Sequence, residues 1–190
     1  MANKKIVLTG GPGGGKTTAL DIFRREFRDG LVIVPEAATI LFENGLRRGE
    51  SQVDLERVQL GIYHLQKSLE AVFEKSNPGS SFLCDRGTLD SIAYWPGEEE
   101  DFFKLVNSSF EQELARYDAV IFFETAAASG DSISSNNPQR TETAKQAIEL
   151  DRKLQTIWSK HPNYHFIPSG SSFVEKVKQG LGMIECVIDQ

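Results

Sequence analysis

Gly10-Gly11-Pro12-Gly13-Gly14-Gly15-Lys16-Thr17 fits G-x-x-x-x-G-K-[ST] without a mismatch. Each part has a chemical reason. Glycines adopt backbone angles closed to other residues and let main-chain N–H groups approach phosphate oxygens. A helix opening near Lys16 turns its positive dipole end toward the same oxygens. The Lys16 ammonium is placed to reach the β- and γ-phosphates of a nucleoside triphosphate, and the Thr17 hydroxyl to ligate Mg²⁺. Gly11, Gly13, Gly14, Gly15, Lys16, Thr17 and Thr18 are therefore the expected contacts to ATP. The competing reading is a glycine-rich turn that binds nothing, and the flanks argue against it. Ile6-Val7-Leu8-Thr9, before the loop, is a short apolar run suited to a strand buried on both faces. Behind it, Leu20, Phe23 and Phe27 share one face of a helix running from Lys16 to about Phe27.

Outward from the loop, short apolar runs alternate with helical patterns. Leu31-Val32-Ile33-Val34, Phe82-Leu83-Cys84, Ala119-Val120-Ile121-Phe122-Phe123 and Tyr164-His165-Phe166-Ile167 read as further strands. Helices are expected over about 55–73, 89–94, 101–116, 144–160 and 173–188, with Thr143 and Gln146 forming a capping box for the fourth of these. This alternation predicts a parallel sheet covered by helices on both faces, with ligands at the carboxyl ends of the strands. The chain reads as one α/β domain over residues 1–190. The polar, patternless stretch of about 126–142 reads as a lid.

The candidates for chemistry fall at those strand ends. Asp85 closes an apolar run and suits Mg²⁺, held directly or through water; the competing role is capping the next helix. Arg86 follows at once, and a guanidinium there suits a phosphate oxygen, against a salt bridge to Asp85 or Asp90. Glu36, after Val34-Pro35, is placed either to take a proton from a substrate hydroxyl or to sit as an acid at a helix N-terminus. Glu124 reads as structural. Arg140, in Asn136-Asn137-Pro138-Gln139-Arg140-Thr141-Glu142, is placed to close over the triphosphate or to pair with Glu142 at the surface. Arg47-Arg48 reads as a solvated basic pair and Tyr94-Trp95 as core. His64, His161 and His165 have no ligand spacing among them.

Bulk properties narrow the partners. Lys plus Arg total 21 against 27 for Asp plus Glu, a net charge of -6, which argues against nucleic acid as the main partner. The two cysteines, Cys84 and Cys186, suggest neither a disulfide scaffold nor a zinc site. No stretch approaches membrane-spanning length, and the N-terminal apolar run is too short for a signal peptide. A cytoplasmic protein is the expectation.

Leu8 to Thr18, Val34-Pro35-Glu36-Ala37-Ala38-Thr39 and Cys84-Asp85-Arg86-Gly87-Thr88-Leu89-Asp90 together resemble the NadR-type AAA domain. That family groups the ribosylnicotinamide kinase domain of NadR with the TRPL-translocation-defect proteins. Asn137 to Glu142, Leu150-Asp151 and Trp158-Ser159-Lys160-His161-Pro162 are similar to it as well, so the resemblance spans nearly the whole chain. The wider resemblance is to P-loop nucleoside and nucleotide kinases. It implies a P-loop NTPase three-layer sandwich: five parallel strands in the order 2-3-1-4-5, helices on both faces, and a mobile lid. By position it implies Lys16 and Thr17 on Mg-ATP, Glu36 as the base, Asp85-Arg86 as the acid–arginine pair after the third strand, and Arg140 as a lid arginine. Nucleoside kinases often have Ser after that pair, where this chain has Gly87. The implied activity is transfer of the γ-phosphoryl of Mg-ATP to a small nucleoside- or nucleotide-like acceptor, with Glu36 or Asp85 as the base. The alternative is a nucleotide-dependent ATP- or GTP-binding module without kinase activity.

Overall fold

The computed structural model describes residues 3–129, 143–170 and 172–190, with Asp29 described by its backbone alone. Its strands are β1 (Lys5–Thr9), β2 (Leu31–Val34), β3 (Ser81–Asp85), β4 (Ala119–Phe123) and β5 (Tyr164–Ile167). Its helices are α1 (Lys16–Phe27), α2 (Ala37–Glu43), α3 (Gln52–Ser76), α4 (Asp90–Ala93), α5 (Glu99–Val106), α6 (Phe110–Leu114), α7 (Ala144–Trp158) and α8 (Phe173–Ile188). The five strands form one sheet in the order β2-β3-β1-β4-β5, and every pairing is parallel. The expected topology is therefore present.

Alternation along β1 builds two cores. Ile6 and Leu8 turn to one face, where Phe23 of α1 and Val177 and Ile184 of α8 cover them. Val7 turns to the other, with Cys84, Phe122 and, from α7, Leu154 and Trp158. A third cluster, Tyr63, Trp95, Phe102 and Val106, ties α3 to α5. Full burial of such side chains contributes roughly 1.5–3 kcal/mol each, which holds the sheet between its helical layers. The chain passes from β1 out to β2 and returns through β3, then crosses to β4 on the other side of β1. Leu8 pairs with Asp85 and Thr9 with Phe122, so the segments leaving β1, β3 and β4 emerge side by side.

Three local expectations needed revision. The helix expected over about 101–116 is two helices. Asn107, in the left-handed region at φ 49°, ends α5, and a Ser109–Gln112 capping box starts α6. The long helix begins at Gln52 because the Ser51 side chain accepts from the Asp54 N–H and caps it. Helix α2 was not among the expected helices, and its only sequence signal was the reading of Glu36 as an acid at a helix N-terminus. Its first N–H, at Ala37, donates to Gln66 Oε1 on α3 at 3.4 Å, so a tertiary contact supplies what a local cap does elsewhere. The Thr143–Gln146 capping box of α7 is present as expected. Of the expected lid, Ala126–Ser129 is a short 3₁₀ turn, and residues 130–142, Arg140 among them, lie outside the described residues. Among the described residues no helix is long and apolar enough to cross a membrane.

Candidate active site

Between β1 and α1 the loop is pressed against β4. A Cβ at Gly10 would stand 2.0 Å from the Phe123 carbonyl oxygen, and Gly10 has a φ of 130°, so only glycine fits there. Lys16 is 2% exposed, and its Nζ donates to the carbonyls of Gly10 and Gly11 at 2.7 Å each. Its charge is thus held across the front of the loop. Thr17 and Thr18 are exposed in the first turn of α1, which carries no acidic residue. The N-terminal dipole of α1 faces outward without local competition from a carboxylate.

Three side chains to which sequence reasoning gave no role hold the outside of the loop. Asp151 Oδ1, on α7, accepts the Gly11 N–H at 2.7 Å and the Thr125 N–H at 3.0 Å. Thr125 Oγ1 donates to the Pro12 carbonyl. Lys176 Nζ, on α8, donates to the Gly14 carbonyl at 3.3 Å and to the Glu124 carbonyl at 2.6 Å. Burial pushes the Asp151 carboxyl up, against the two N–H donors that pull it down, and burial pulls the Lys176 ammonium down. A signal did exist for Asp151. It falls on the helical face of Ala147, Leu154 and Trp158, and a carboxylate on an apolar stripe must find partners.

The strand-end candidates converge. Arg86 Nε donates to Glu36 Oε1 at 2.6 Å, and Nη1 donates to Asp90 Oδ2 at 2.9 Å and to the Gly10 carbonyl at 3.3 Å. Burial opposes the charge on Arg86, and the fields of Tyr94, Glu36 and Asp90 outweigh it, holding the guanidinium protonated. Its backbone lies in the left-handed region at φ 70°, a strained setting for a non-glycine residue that the surrounding bonds enforce. Glu36 precedes α2 without capping it; its second oxygen accepts from Thr39 Oγ1 at 2.6 Å. Asp90, which sequence reasoning treated only as a partner for Arg86, is a hub. It also accepts from Thr9 Oγ1 at 2.8 Å and from the Trp158 indole N–H at 2.7 Å. Trp158 explains Gly87, since a Cβ there would meet the indole ring at 2.6 Å. Glu124 Oε2 accepts from the Ser169 N–H and hydroxyl, tying the end of β4 to the turn after β5.

A cavity opens beside this cluster, bounded by the loop at Pro12, by α2, by α3, and by Ser91 and Tyr94 at α4. Its walls are largely apolar: Ala37, Phe42, Leu55, Val58 and Ile62, with Tyr94 at one end. Arg48, read as solvated, lines it too and lies over the Phe42 ring at 5.0 Å. Two glutamines on α3 face in. Gln66 is committed to the Ala37 N–H, the Arg86 carbonyl and Glu70. Gln59 is 6% exposed and has no hydrogen-bond partner among the described residues. Trp95 packs in the third core cluster as expected, and His161 is buried with Nε2 against the Tyr117 carbonyl.

Thr17 and Asp85 carry hard oxygen donors of the kind Mg²⁺ takes: Thr17 lies in the first turn of α1, and Asp85 ends β3, whose neighbour β1 leads into the loop. Mg²⁺ is held by one or two such groups together with substrate phosphates, and no larger carboxylate cage is required.

The fold is similar to that of deoxyadenosine kinase from M. mycoides, solved with bound dATP, at a TM-score of 0.66 and 11% identity, covering 96% of this chain and 100% of that one. No curated protein sequence matches this one. The family model described as "AAA domain" matches residues 5–175. The phosphate loop, the acid–arginine pair and the helix that brings Asp151 to the loop all lie inside that span, and the chain belongs to this AAA domain family.

Proposed function

We propose that the protein is a small-molecule kinase that transfers the γ-phosphoryl of Mg-ATP to a hydroxyl or phosphate of a nucleoside- or nucleotide-like acceptor. The observation that carries this reading is the placement of Arg86. One nitrogen of its guanidinium contacts the phosphate loop at Gly10 while another holds Glu36 on the wall of the cavity. A triphosphate in the loop and an acceptor in the cavity would therefore meet at Arg86.

In this reading an acceptor oxygen attacks the γ-phosphorus as the bond to the β–γ bridging oxygen breaks. The hydroxyl proton passes to Glu36, with Asp85 as the other candidate, and ADP departs. Lys16, Arg86 and, from the segment outside the described residues, Arg140 neutralise the charge that builds on the transferring group. Thr17 and Asp85 would hold Mg²⁺, which when bound would supply positive charge to offset that of the phosphates. The apolar walls exclude water and suit a flat ring, and Gln59 offers it a hydrogen-bonding edge.

The test is a transfer screen with Mg-ATP against nucleosides, ribosylnicotinamide and nucleotides, with ATP and GTP affinities measured in parallel. A phosphorylated acceptor is the expected result. Tight nucleotide binding with no acceptor phosphorylated would overturn the kinase reading in favour of a nucleotide-dependent binding module.

A further inference from the structure

Helix α7 touches both halves of the site. Asp151 and Trp158 lie seven residues apart, two turns or roughly 10 Å along the axis, on one buried face with Ala147 and Leu154. Asp151 takes the Gly11 N–H, and Trp158 gives its indole N–H to Asp90, each at 2.7 Å. Asp90 holds Arg86 at 2.9 Å, and Arg86 returns to the Gly10 carbonyl at 3.3 Å. The contacts close a ring: phosphate loop, Asp151, α7, Trp158, Asp90, Arg86, phosphate loop. Every side chain in it is buried, Asp151 at 5%, Trp158 at 0%, Asp90 at 5% and Arg86 at 7% exposed. Lys16 is bonded into the same ring at Gly10 and Gly11.

We propose that this ring couples the phosphate loop to Arg86, with Asp151 and Trp158 as positioning residues for phosphoryl transfer. The proposal rests on the triphosphate-binding reading. A triphosphate in the loop draws the Lys16 ammonium off the Gly10 and Gly11 carbonyls. The loop relaxes against its remaining tethers, of which Asp151 at Gly11 and Arg86 at Gly10 hold the same two residues that Lys16 releases. Because α7 is rigid and packed, a shift at Asp151 reaches Trp158, and Asp90 carries it to Arg86 from the other side. Arg86 then takes its working position only when the donor is in place, which favours transfer to the acceptor over loss to water. The ring also accounts for Gly87: the indole reaches Asp90 only by lying where a larger residue would stand.

The chain has two tryptophans, Trp95 and Trp158, so its indole N–H resonances are two and assignable with Trp95→Phe. The Trp95 indole N–H is buried without a hydrogen-bond partner among the described residues and serves as the internal reference. Mg-ATP is titrated into the unsubstituted protein and into Asp151→Asn, with binding followed by calorimetry. The expected result is a Trp158 resonance that moves on saturation while that of Trp95 stays. In Asp151→Asn the movement should fall to less than about half although Mg-ATP still binds, as a coupling of about fivefold or more requires. Trp158→Phe keeps an aromatic side chain at the site and removes the indole N–H that bonds Asp90. With an acceptor identified, it should lower kcat about tenfold and leave the KM for ATP within about twofold. Binding with an unmoved Trp158 resonance overturns the coupling alone, a measurement made on the unsubstituted protein once the two resonances are assigned. A full shift in Asp151→Asn overturns the route through α7. No Mg-ATP binding in the calorimeter overturns the triphosphate reading and the coupling with it.

Discussion

Arg86 Nε donates to Glu36 Oε1 at 2.6 Å, joining residues fifty positions apart across the wall of the cavity. The pair is largely buried, with side-chain exposures of 9% and 14%. A buried pair of this kind is costly to break from one side, since the remaining charge is left without compensation. The roles of both residues are therefore best probed by substitutions that keep shape and hydrogen bonding.

Glu36→Gln retains an oxygen for Arg86 and loses the capacity to accept a proton. Mg-ATP affinity should stay within about twofold, while transfer slows by about 10²–10⁴-fold, the usual range for a general base. Calorimetry and steady-state kinetics separate the two. Full activity in this variant would pass the base role to Asp85 or to no residue.

Lys16→Ala removes the ammonium that spans the Gly10 and Gly11 carbonyls. Triphosphate affinity should fall about tenfold to a hundredfold or more, the worth of a charge-assisted contact to phosphate. Unchanged affinity and turnover would show that the triphosphate binds elsewhere.

Gly87→Ser restores the residue that nucleoside kinases often carry after the acid–arginine pair, and here it should harm the protein. Its Cβ would lie 2.6 Å from the Trp158 ring, which is fully buried and cannot swing away. A loss of about 1–3 kcal/mol is expected from overpacking, read as a lowered denaturation midpoint. A variant as stable as the parent would mean that Trp158 does not pack there.

Gln59→Leu keeps the volume and apolar contacts of the cavity wall and deletes an amide that is uncommitted among the described residues. Among acceptors found in the screen, those with a hydrogen-bonding ring edge should lose about tenfold or more in kcat/KM, with the KM for ATP unchanged. A uniform loss across acceptors, or none, would remove Gln59 from recognition.

Glu113 gives a pH signature away from the site. Burial pushes its carboxyl up, but hydrogen bonds from Ser108 and Tyr63, with further help from Thr88 and Lys67, outweigh it and hold it below the ordinary 4.5. A folded-state value below the unfolded one adds stability above about pH 4.5 and loses it as pH falls through the folded value. Glu113→Gln should flatten that acid limb in denaturant titrations run downward from about pH 5. An acid limb identical to the parent's would assign the loss to other carboxylates.

The amino-acid sequence alone determined the five strands, the phosphate loop and the candidates at the strand ends. Strands buried on both faces read as unbroken apolar runs, and the loop's chemistry admits few substitutes at its glycines and lysine. It also determined the capping box of α7, because a cap is a matter of residues three apart. The break between α5 and α6 was written in Asn107 and Ser109 in the same local terms, though the longer apolar pattern masked it. Tertiary structure decided what those side chains do. Helix α2 begins where Gln66 arrives from α3, Arg86 takes a strained backbone because Glu36, Asp90 and Gly10 surround it, and Gly87 is set by a tryptophan from α7. Asp151, Lys176 and Gln59 reach the loop and the cavity from helices far along the chain. A sequence records that a polar residue falls on an apolar face; which partner it meets depends on how helices cross the sheet, and that is fixed only when the layers pack.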